Sequence, residues 1–372
     1  MADAIPGYER DELARFLRGA DRLTMGPKVR EFEEAWSTWL GCRHSVLVNS
    51  GSSANLILIA AMRELYGVGG VVCQAVTWAT NVAPVVQLGM ELDLVDVNLS
   101  NLGPDPAGLE KRLRAGRVRY VFLTHVLGFC GLIYDVLDMC RRYNAILLED
   151  CCEAHGAFYG NRKVGTLGLA GTFSFYYGHH MTTIEGGMVS TNDEKLYHTL
   201  LLLRSHGLLR ELPHGSPAAG LDPRFTFLLH GFNVRPTEIT GFLGLSQLPR
   251  LDAAIEQRNR NLRRWFEALD RRLYHTEINR GGASSFALPL LVRREAPFSL
   301  EALGRRLEDA GVESRPLVSG NIARQPCLGG RLSPGDYPAA EFIHERGLYV
   351  GNHHRVNEES VAELARLVNG GW

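Results

Sequence analysis

The sequence predicts an α/β fold in which a large, mostly parallel sheet domain is followed by a smaller C-terminal α/β domain. Short runs rich in Val, Leu and Ile alternate with helical patterns between residues 45 and 205, an order that is typical of βαβ units. A second, shorter series of strands and helices begins near residue 284. The 372 residues are enough for two such domains. We therefore expect a large domain at 1–250 and a small domain at 251–372.

The large domain is predicted from a regular succession of elements. Pro27 suits the first turn of a helix, and Gly41 follows the last apolar residue of its helical pattern. Strands are predicted at 45–48, 71–73, 92–95, 118–123, 145–149, 173–176 and 188–190. Helices are predicted near 27–40, 54–65, 78–88, 105–114, 132–143 and 193–205. Strands of this apolar kind are expected to be covered by helices on both faces of the sheet.

The C-terminal part starts with a long helical pattern, from about 236 to 270, and then alternates again. Strands are predicted at 285–292, 312–316 and 348–351. Helices are predicted at 299–310, 338–346 and 357–368. The segment 207–223 contains Gly and Pro without a clear period, so we expect an active-site or interface loop there.

The composition excludes several classes of protein. Forty Lys and Arg residues stand against forty-one Asp and Glu, so no net field draws the chain to nucleic acid or to an anionic membrane. No apolar run approaches the roughly 20 residues of a membrane span, and the first residues lack the basic and apolar regions of a signal peptide. The seven cysteines show no C-x-x-C spacing. We expect reduced thiols, no metal site and a cytoplasmic location.

A turn of small residues follows the first predicted strand of the sheet. Its sequence, Ser50-Gly51-Ser52-Ser53, leads directly into an apolar helix. The backbone N–H groups and the dipole at such a helix start can bind a phosphate group. A turn that only caps the helix is the alternative.

Two acidic residues, Glu149 and Asp150, stand where a buried apolar strand ends. Open α/β sheets bind their ligands at the carboxyl ends of the strands. A carboxylate there is costly unless it meets a cation. We therefore expect Asp150 to face a protonated ring nitrogen and to keep it protonated, and a helix-capping Asp is the alternative.

The segment 172–187 is the most specific stretch of the chain, because it combines aromatic residues, hydroxyl groups, two adjacent histidines and a Gly-Gly turn. If it is extended, His179 and His180 project to opposite sides, so one of them at most faces a given site. Ordinary loop histidines are the alternative. Trp78 directly follows a predicted strand, where a tryptophan can pack in the core or lie flat on a planar cofactor.

Taken together and in this order, these segments resemble the nucleotide-sugar aminotransferase family of the DegT/StrS type, whose enzymes use pyridoxal 5'-phosphate (PLP). The resemblance runs from Thr24-Met25-Gly26 to Gly351-Asn352-His353. It implies fold type I, the fold of aspartate aminotransferase. It also implies a set of cofactor-binding residues: Gly51, Ser52, Trp78, Asp150, Glu153, Ser174 and Asn233.

The family assigns a role to each of these positions. The resemblance implies that the serine turn and Ser174 bind the cofactor phosphate, and that Trp78 stacks on the ring. It implies that Asp150 pairs with the pyridine nitrogen and that Glu153 lies near the phenolic oxygen. Asn233 resembles the residue that family members contribute to the phosphate site of the neighbouring subunit. A homodimer with shared active sites is therefore expected.

One departure from the family changes the expected chemistry. Family aminotransferases bind the cofactor covalently through a lysine at the first position of the histidine pair, and this chain has His179 there. The chain contains only four lysines, and none can replace it by position: Lys28, Lys111, Lys163 and Lys195. We expect no covalent bond between a lysine and the cofactor. Histidine at this position resembles the 3-dehydratase branch of the family, which acts on GDP-4-keto-6-deoxy-D-mannose.

The resemblance implies a lyase that removes the C3 hydroxyl of a nucleotide-linked 4-keto-6-deoxy sugar, as in the biosynthesis of dideoxysugars for lipopolysaccharide O-antigens. The amine form of the cofactor, pyridoxamine phosphate (PMP), would react with the 4-keto group, and L-glutamate would restore that form. Ammonia and a 4-keto-3,6-dideoxy sugar would be released. An imidazole with a pKa of about 6.5 is mostly neutral at pH 7, so His179 fits the base that removes a proton from the cofactor.

Other readings stay open at this level. His206 and Arg210 are candidates for orienting the sugar, with solvated loop residues as the alternative. The enzyme could instead complete an amino transfer, or the loss of lysine could have left a sensor that binds without catalysis. A sister group of 3-dehydrases carries an iron–sulfur cluster on C-terminal cysteines, and the single Cys327 beyond residue 152 disfavours it. GDP as the nucleotide rests on the resemblance alone.

Overall fold

The computed structural model describes residues 4–130, 133–213 and 220–372. Within them, the helices are α1 Gly7–Gly19, α2 Pro27–Leu40, α3 Gly51–Tyr66, α4 Ala79–Gln87, α5 Pro106–Arg114, α6 Ile133–Arg142, α7 Glu194–Arg204, α8 Glu238–Gln247, α9 Leu251–Ala268, α10 Leu300–Asp309, α11 Pro338–Arg346 and α12 Glu358–Asn369. The strands are β1 His44–Val48, β2 Gly70–Gln74, β3 Glu91–Val95, β4 Val118–Thr124, β5 Ile146–Asp150, β6 Phe158–Tyr159, β7 Arg162–Lys163, β8 Ala170–Ser174, β9 Gly187–Thr191, β10 Ala287–Leu291, β11 Ser314–Pro316 and β12 Gly347–Gly351.

The α/β class predicted from the sequence is confirmed. The main sheet has seven strands in the order β1-β9-β8-β5-β4-β2-β3. Neighbouring strands from β8 through β5, β4 and β2 to β3 are parallel, and β9 runs antiparallel to β1 and β8. Because β5 and β8 are parallel, Asp150 and Ser174 end at the same edge of the sheet. This edge carries the candidate site.

The differences from the predicted elements have local causes. The continuous helix expected over 236–270 is interrupted by a 3-10 turn at Leu248–Arg250, where Pro249 cannot donate the backbone hydrogen bond that a helix needs. The helix α1 was not predicted, since its sequence is strongly charged and carries few apolar residues. The expected loop at 207–223 contains two short 3-10 turns, Leu209–Glu211 and Pro223–Phe225, and its residues 214–219 lie outside the described residues. None of the described helices is both long and apolar enough to cross a membrane.

The small sheet is antiparallel, in the order β10-β12-β11. Helix α9 joins it through Trp265, whose Nε1 donates to the carbonyl of Pro289 at 2.8 Å. Asn261, also on α9, donates to Oδ1 of Asn352 just after β12 at 3.0 Å. These contacts place α9 with the C-terminal part, and they support a division at 250/251, which stays a prediction.

A buried carboxylate connects the start of the chain to the middle of the large domain. Helix α2 begins at Pro27 and has no capping side chain of its own. Oε1 of Glu238 accepts hydrogen bonds from the backbone N–H groups of Gly26 and Val29 at 2.8 and 3.1 Å, and Oε2 accepts from Lys28 at 3.0 Å. A negative charge at this end also complements the helix dipole. Glu238 is therefore the cap that α2 lacks.

Replacing this cap should destabilise the protein. In Glu238→Gln, one carboxylate oxygen becomes an amide NH2 that cannot accept from backbone donors, so we expect a loss of about 1–3 kcal/mol of unfolding free energy. Urea unfolding followed by fluorescence measures the change. The matched control is Glu31→Gln, because Glu31 is exposed and bonded only to Lys28. Equal unfolding midpoints for the two variants would contradict the assigned role.

Candidate active site

A cavity of about 880 Å³ opens at the carboxyl edge of the main sheet and reaches the small sheet. Its wall brings together residues that lie far apart in the sequence. Seven predicted site residues contribute to it: Gly51, Ser52, Trp78, Asp150, Glu153, Ser174 and His179. The small domain contributes residues at the start of β10, residues before and within β11, and residues within and after β12.

One end of the cavity is formed by the first turn of α3. Ser50 caps the helix, with its Oγ accepting from the N–H of Ser53 at 3.1 Å, and Gly51 and Ser52 form the next two positions. A Cβ atom on Gly51 would lie 2.6 Å from Cβ of Ser174, so only glycine lets the end of β8 approach the turn. The turn offers free backbone N–H donors at the helix start, and the hydroxyl groups of Ser52 and Ser174 lie at the same end of the cavity. This arrangement suits the binding of a phosphate group.

Asp150 lies at the end of β5 and is buried. Its Oδ2 accepts from the side-chain amides of Asn55 and Asn81 at 2.9 and 2.7 Å, and its Oδ1 accepts from the N–H of Cys152 at 2.9 Å. Among the described residues, no Lys, Arg or His forms an ion pair with it. The arrangement holds a carboxylate rigidly at the cavity wall and fits a ligand that brings its own positive charge, such as a protonated pyridine nitrogen.

Trp78 stands immediately before α4 and is 55% exposed, which is unusual for so large an apolar side chain. It contributes to the cavity wall together with Thr80. The core alternative for this residue is therefore wrong. An exposed indole beside the carboxylate of Asp150 offers a flat apolar surface on which an aromatic ring can stack.

Glu153 lies in the turn after β5, where Oε2 accepts from the N–H of Leu127 at 2.8 Å. The pKa of its carboxyl is raised to about 7 by three effects together. Burial raises it most, the hydrogen bond from Leu127 lowers it, and the charge of Asp150 raises it. A carboxyl with a pKa near neutrality can donate a hydrogen bond or accept one. Glu153 is thus suited to an oxygen of the ligand whose own charge changes.

His179 lies in the turn after β8, between Tyr176 and the small domain. Its backbone N–H donates to the backbone carbonyl of Tyr176 at 3.0 Å, and its backbone carbonyl accepts from Nη2 of Arg258 at 3.3 Å. Burial lowers the pKa of the imidazole to about 4; a backbone hydrogen bond to Cys152 and the charge of Asp150 oppose this, and Arg258 adds to it. The ring is therefore neutral at pH 7 and can accept a proton.

The segment that carries the two histidines is a turn rather than an extended strand. The expected projection to opposite sides is therefore wrong, and His179 and His180 both contribute to the cavity wall. His180 is the more constrained of the two, since its Nε2 lies 3.3 Å from the carbonyl and 3.1 Å from the hydroxyl of Ser284.

Three predicted site residues do not line the cavity of their own chain. Asn233 is exposed and forms a β-bridge with Ser205. His206 and Arg210 follow Ser205 and are exposed as well. Because of the bridge, Asn233 lies beside the start of this segment, and the carbonyl of the next residue, Val234, accepts from the N–H of Asn49 at 3.0 Å.

The four lysines also lie elsewhere, and none lines the cavity. Two of the described arginines line the cavity, Arg258 and Arg315, whereas Arg324 pairs with Glu341 on α11. Sequence reasoning missed Asn55 and Asn81, which hold Asp150, and Arg258, which holds His179. Arg258 lies among other arginines of the amphipathic helix α9, and such a pattern predicts a solvent-exposed face.

Comparisons with known proteins agree with this geometry. The profile of the DegT/DnrJ/EryC1/StrS aminotransferase family matches residues 6–369. GDP-4-keto-6-deoxy-D-mannose 3-dehydratase from Yersinia pseudotuberculosis is 33% identical over 97% of this chain and 96% of its own. A solved structure of the E. coli enzyme of that name with bound hydrated PLP has a TM-score of 0.92 and 30% identity, and covers 98% of this chain and 97% of its own.

A further solved structure is a GDP-4-keto-6-deoxymannose-3-dehydratase with a trapped PLP-glutamate geminal diamine. It has a TM-score of 0.90 and 29% identity, and covers 96% of either chain. The family profile spans almost the whole chain, and the relatives match it over nearly their full length. The chain belongs to the DegT/DnrJ/EryC1/StrS aminotransferase family.

Proposed function

We propose that this protein is a PLP-dependent 3-dehydratase that removes the C3 hydroxyl of GDP-4-keto-6-deoxy-D-mannose, with L-glutamate as the amine donor. One observation carries the proposal: an uncharged imidazole, that of His179, lies in a cavity built for the cofactor, and no lysine lines that cavity. The relatives named for this reaction, and the one solved with a PLP-glutamate adduct, support the substrates. A cytoplasmic location stays a prediction.

The residues of the cavity fit the cofactor. The first turn of α3 and Ser174 would hold its phosphate, Trp78 would cover one face of its ring, and Asp150 would keep the ring nitrogen protonated. When bound in its amine form, the cofactor supplies an amino group for the 4-keto carbon and a ring that accepts electrons. Asp150 promotes this acceptance because its charge favours the cationic ring.

His179 performs the proton transfer in this proposal. Its buried ring is neutral at pH 7, and Arg258 and the Tyr176 carbonyl hold its main chain in place. A positioned general base of this kind contributes about 100- to 10,000-fold to a rate. A histidine cannot capture the cofactor in a stable covalent bond, as a lysine does. The sugar intermediate therefore has time to lose its C3 hydroxyl instead of leaving as an amino sugar.

Arg315 is the arginine that we propose for the carboxylate of glutamate. It lines the cavity beside Tyr349, and its Nε and Nη2 both contact Oε1 of Glu313, at 2.9 and 2.7 Å. Its side chain is half exposed in that pair, so a substrate carboxylate can replace Glu313 at small cost. Glu153, with a pKa near 7, suits the phenolic oxygen of the cofactor.

We further propose that two copies of the chain form a homodimer with shared sites. Asn233, His206 and Arg210 lie outside the cavity of their own chain, where they can complete a neighbour's site. Close to them in the sequence, four large apolar side chains are between 47% and 65% exposed: Leu221, Phe225, Phe227 and Leu228. Exposed apolar side chains in such a group mark a protein contact.

Two other functions remain as outcomes of the tests. An aminotransferase, the activity after which the family is named, would leave nitrogen on the sugar product, and mass analysis of the product distinguishes it. A sensor on the same fold would bind cofactor and sugar without converting them. The phosphate turn, Trp78 and Asp150 lie together in one cavity, and this arrangement favours an enzyme over a sensor that only binds.

Substituting the base should change the chemistry. In His179→Lys, we expect dehydration to be at least about 100-fold slower, since the imidazole is lost, and borohydride after PLP addition should trap the cofactor on residue 179. The parent chain should give no adduct at any lysine. His198→Lys is the control, because His198 lies on α7 away from the cavity. A trapped lysine in the parent, or full dehydration by His179→Lys, would refute the role of His179.

The carboxyl of Glu153 should be visible in the pH dependence of stability. Its pKa rises from 4.5 to about 7 on folding, so the protonated form stabilises the fold at low pH, and this contribution is lost as pH rises from 4.5 through 7. Relative to the parent apoprotein, Glu153→Gln should therefore gain in urea midpoint as pH rises from 4.5 to 8. Glu256→Gln, at an exposed position on α9, controls for charge loss. A pH-independent difference would refute the assignment.

Shared sites should allow two inactive chains to complement each other. We expect the protein to sediment as a dimer, and His179→Asn and Asn233→Ala to be weakly active alone. Refolded as a mixture, they should recover about a quarter of the parental activity, because half of the dimers are mixed and each mixed dimer has one intact site. A monomeric protein, or no recovery after mixing, would refute the shared site.

A further inference from the structure

His155 is a histidine in an apolar position. It follows β5 in the turn that carries Glu153, and none of its surface reaches solvent. Its ring lies among three aromatic side chains, with centroid distances of 5.6 Å to Trp36, 5.8 Å to Phe173 and 5.7 Å to Phe175. These rings fix the position of the imidazole on three sides.

The two ring nitrogens of His155 have no hydrogen-bond partner among the described residues. A buried polar atom without a partner destabilises the fold, and such atoms in folded proteins normally bind ordered water when no protein group is near. A phenylalanine would fill the same aromatic surroundings without that cost. The imidazole therefore needs an explanation beyond packing.

The remaining sides of the ring face the two histidines of the cavity wall. The ring centroids of His155 and His180 are 5.2 Å apart, and those of His155 and His179 are 6.2 Å apart. Two imidazoles joined by one N–H···N bond have centroids about 5 Å apart. The shorter spacing matches that value, but the ring nitrogens of His155 make no direct bond in this geometry. A ring rotation or a bridging water would join His155 to His180, and the longer spacing suits a bridging water.

The other contacts of His180 leave one nitrogen for this purpose. Its Nε2 is occupied by Ser284, whereas its Nδ1 is buried and has no partner. The hydroxyl of Ser284 also donates to the carbonyl of His155 at 2.5 Å, so the same side chain holds both histidines. The imidazoles of His155 and His180 and the hydroxyl of Ser284 thus form a compact buried group beside the base, His179.

We propose that His155 is a positioning residue for His179: its imidazole joins the rings of His179 and His180 in one hydrogen-bonded network, directly or through an internal water, and this network fixes the orientation and tautomer of the base. The inference rests on the proposed function of His179. Burial, followed by the charges of His179 and Arg258, lowers the pKa of His155 well below its usual value. The network therefore transmits hydrogen-bond direction and carries no charge of its own.

Two substitutions of His155 test this network. His155→Phe keeps a ring of similar size without nitrogens, and His155→Gln keeps a donor and an acceptor. The matched control is His198→Phe, the same change on α7 outside the cavity. The first readout is ¹⁵N NMR of the apoprotein labelled on histidine, in which His179→Asn assigns the resonances of residue 179. The second is kcat and KM for dehydration by the cofactor-loaded enzyme.

We expect His179 of the parent apoprotein to show a single neutral tautomer, and His155→Phe to show a mixture of both. The kcat of His155→Phe should fall about 10- to 100-fold, as for other residues that orient a functional histidine, with KM within twofold. His155→Gln should keep most of the activity. Thermal unfolding of His155→Phe should change little, since the hydrogen bonds lost with the imidazole are offset by an apolar ring among Trp36, Phe173 and Phe175.

Unchanged His179 resonances and kcat in His155→Phe would overturn the proposal, and so would an equal loss of kcat in His155→Gln. If His155→Phe does not fold, the parent spectrum decides: ring nitrogens of His155 without a hydrogen bond overturn the network. The spectra need no substrate. A tautomer of His179 that responds to residue 155, in a chain that dehydrates no sugar, would therefore refute the function and keep the network.

Discussion

The buried carboxylate of Asp150 is the constraint on which the site depends. Ionised groups are rarely buried without a counter-charge, and this one is held at the end of β5 by two amides and one backbone N–H. The helices α3 and α4, which carry Asn55 and Asn81, must therefore pack against the carboxyl end of β5 in one register. The same packing places the serine turn and Trp78 at fixed positions around the carboxylate, so one charge organises the cofactor-binding wall.

Burial shifts the pKa values of the two acid–base groups, Glu153 and His179, in opposite directions. It raises the pKa of the Glu153 carboxyl and lowers that of the His179 imidazole, because in both cases it disfavours the charged form. At pH 7 the cavity thus contains a neutral base and a carboxyl near its midpoint, and both line the cavity together with Asp150. Groups with separated pKa values are what acid–base catalysis at one pH requires. The same effect of burial therefore gives opposite shifts because one group is an acid and the other a base.

Much of this arrangement could be predicted from local patterns, and the rest follows from long-range contacts. Short sequence patterns predict the order of strands and helices, the turn at Gly51 and the acid at the end of β5, Asp150. The supports of the site are different: Asn81 meets Asp150 across 69 positions, and Arg258 meets His179 across 79. No local sequence pattern predicts contacts between residues so far apart in the chain. The missed α1 and the break at Pro249 show the same limit, since tertiary packing and a single missing N–H decided them.

The absence of lysine from the cavity also has a consequence for the protein outside the reaction itself. In the proposed site the coenzyme would be held by non-covalent contacts alone, so its occupancy would follow mass action with the free coenzyme. Ligands that bind the folded state alone stabilise it in proportion to the logarithm of their concentration. The resistance of this chain to unfolding should accordingly rise with the concentration of free coenzyme.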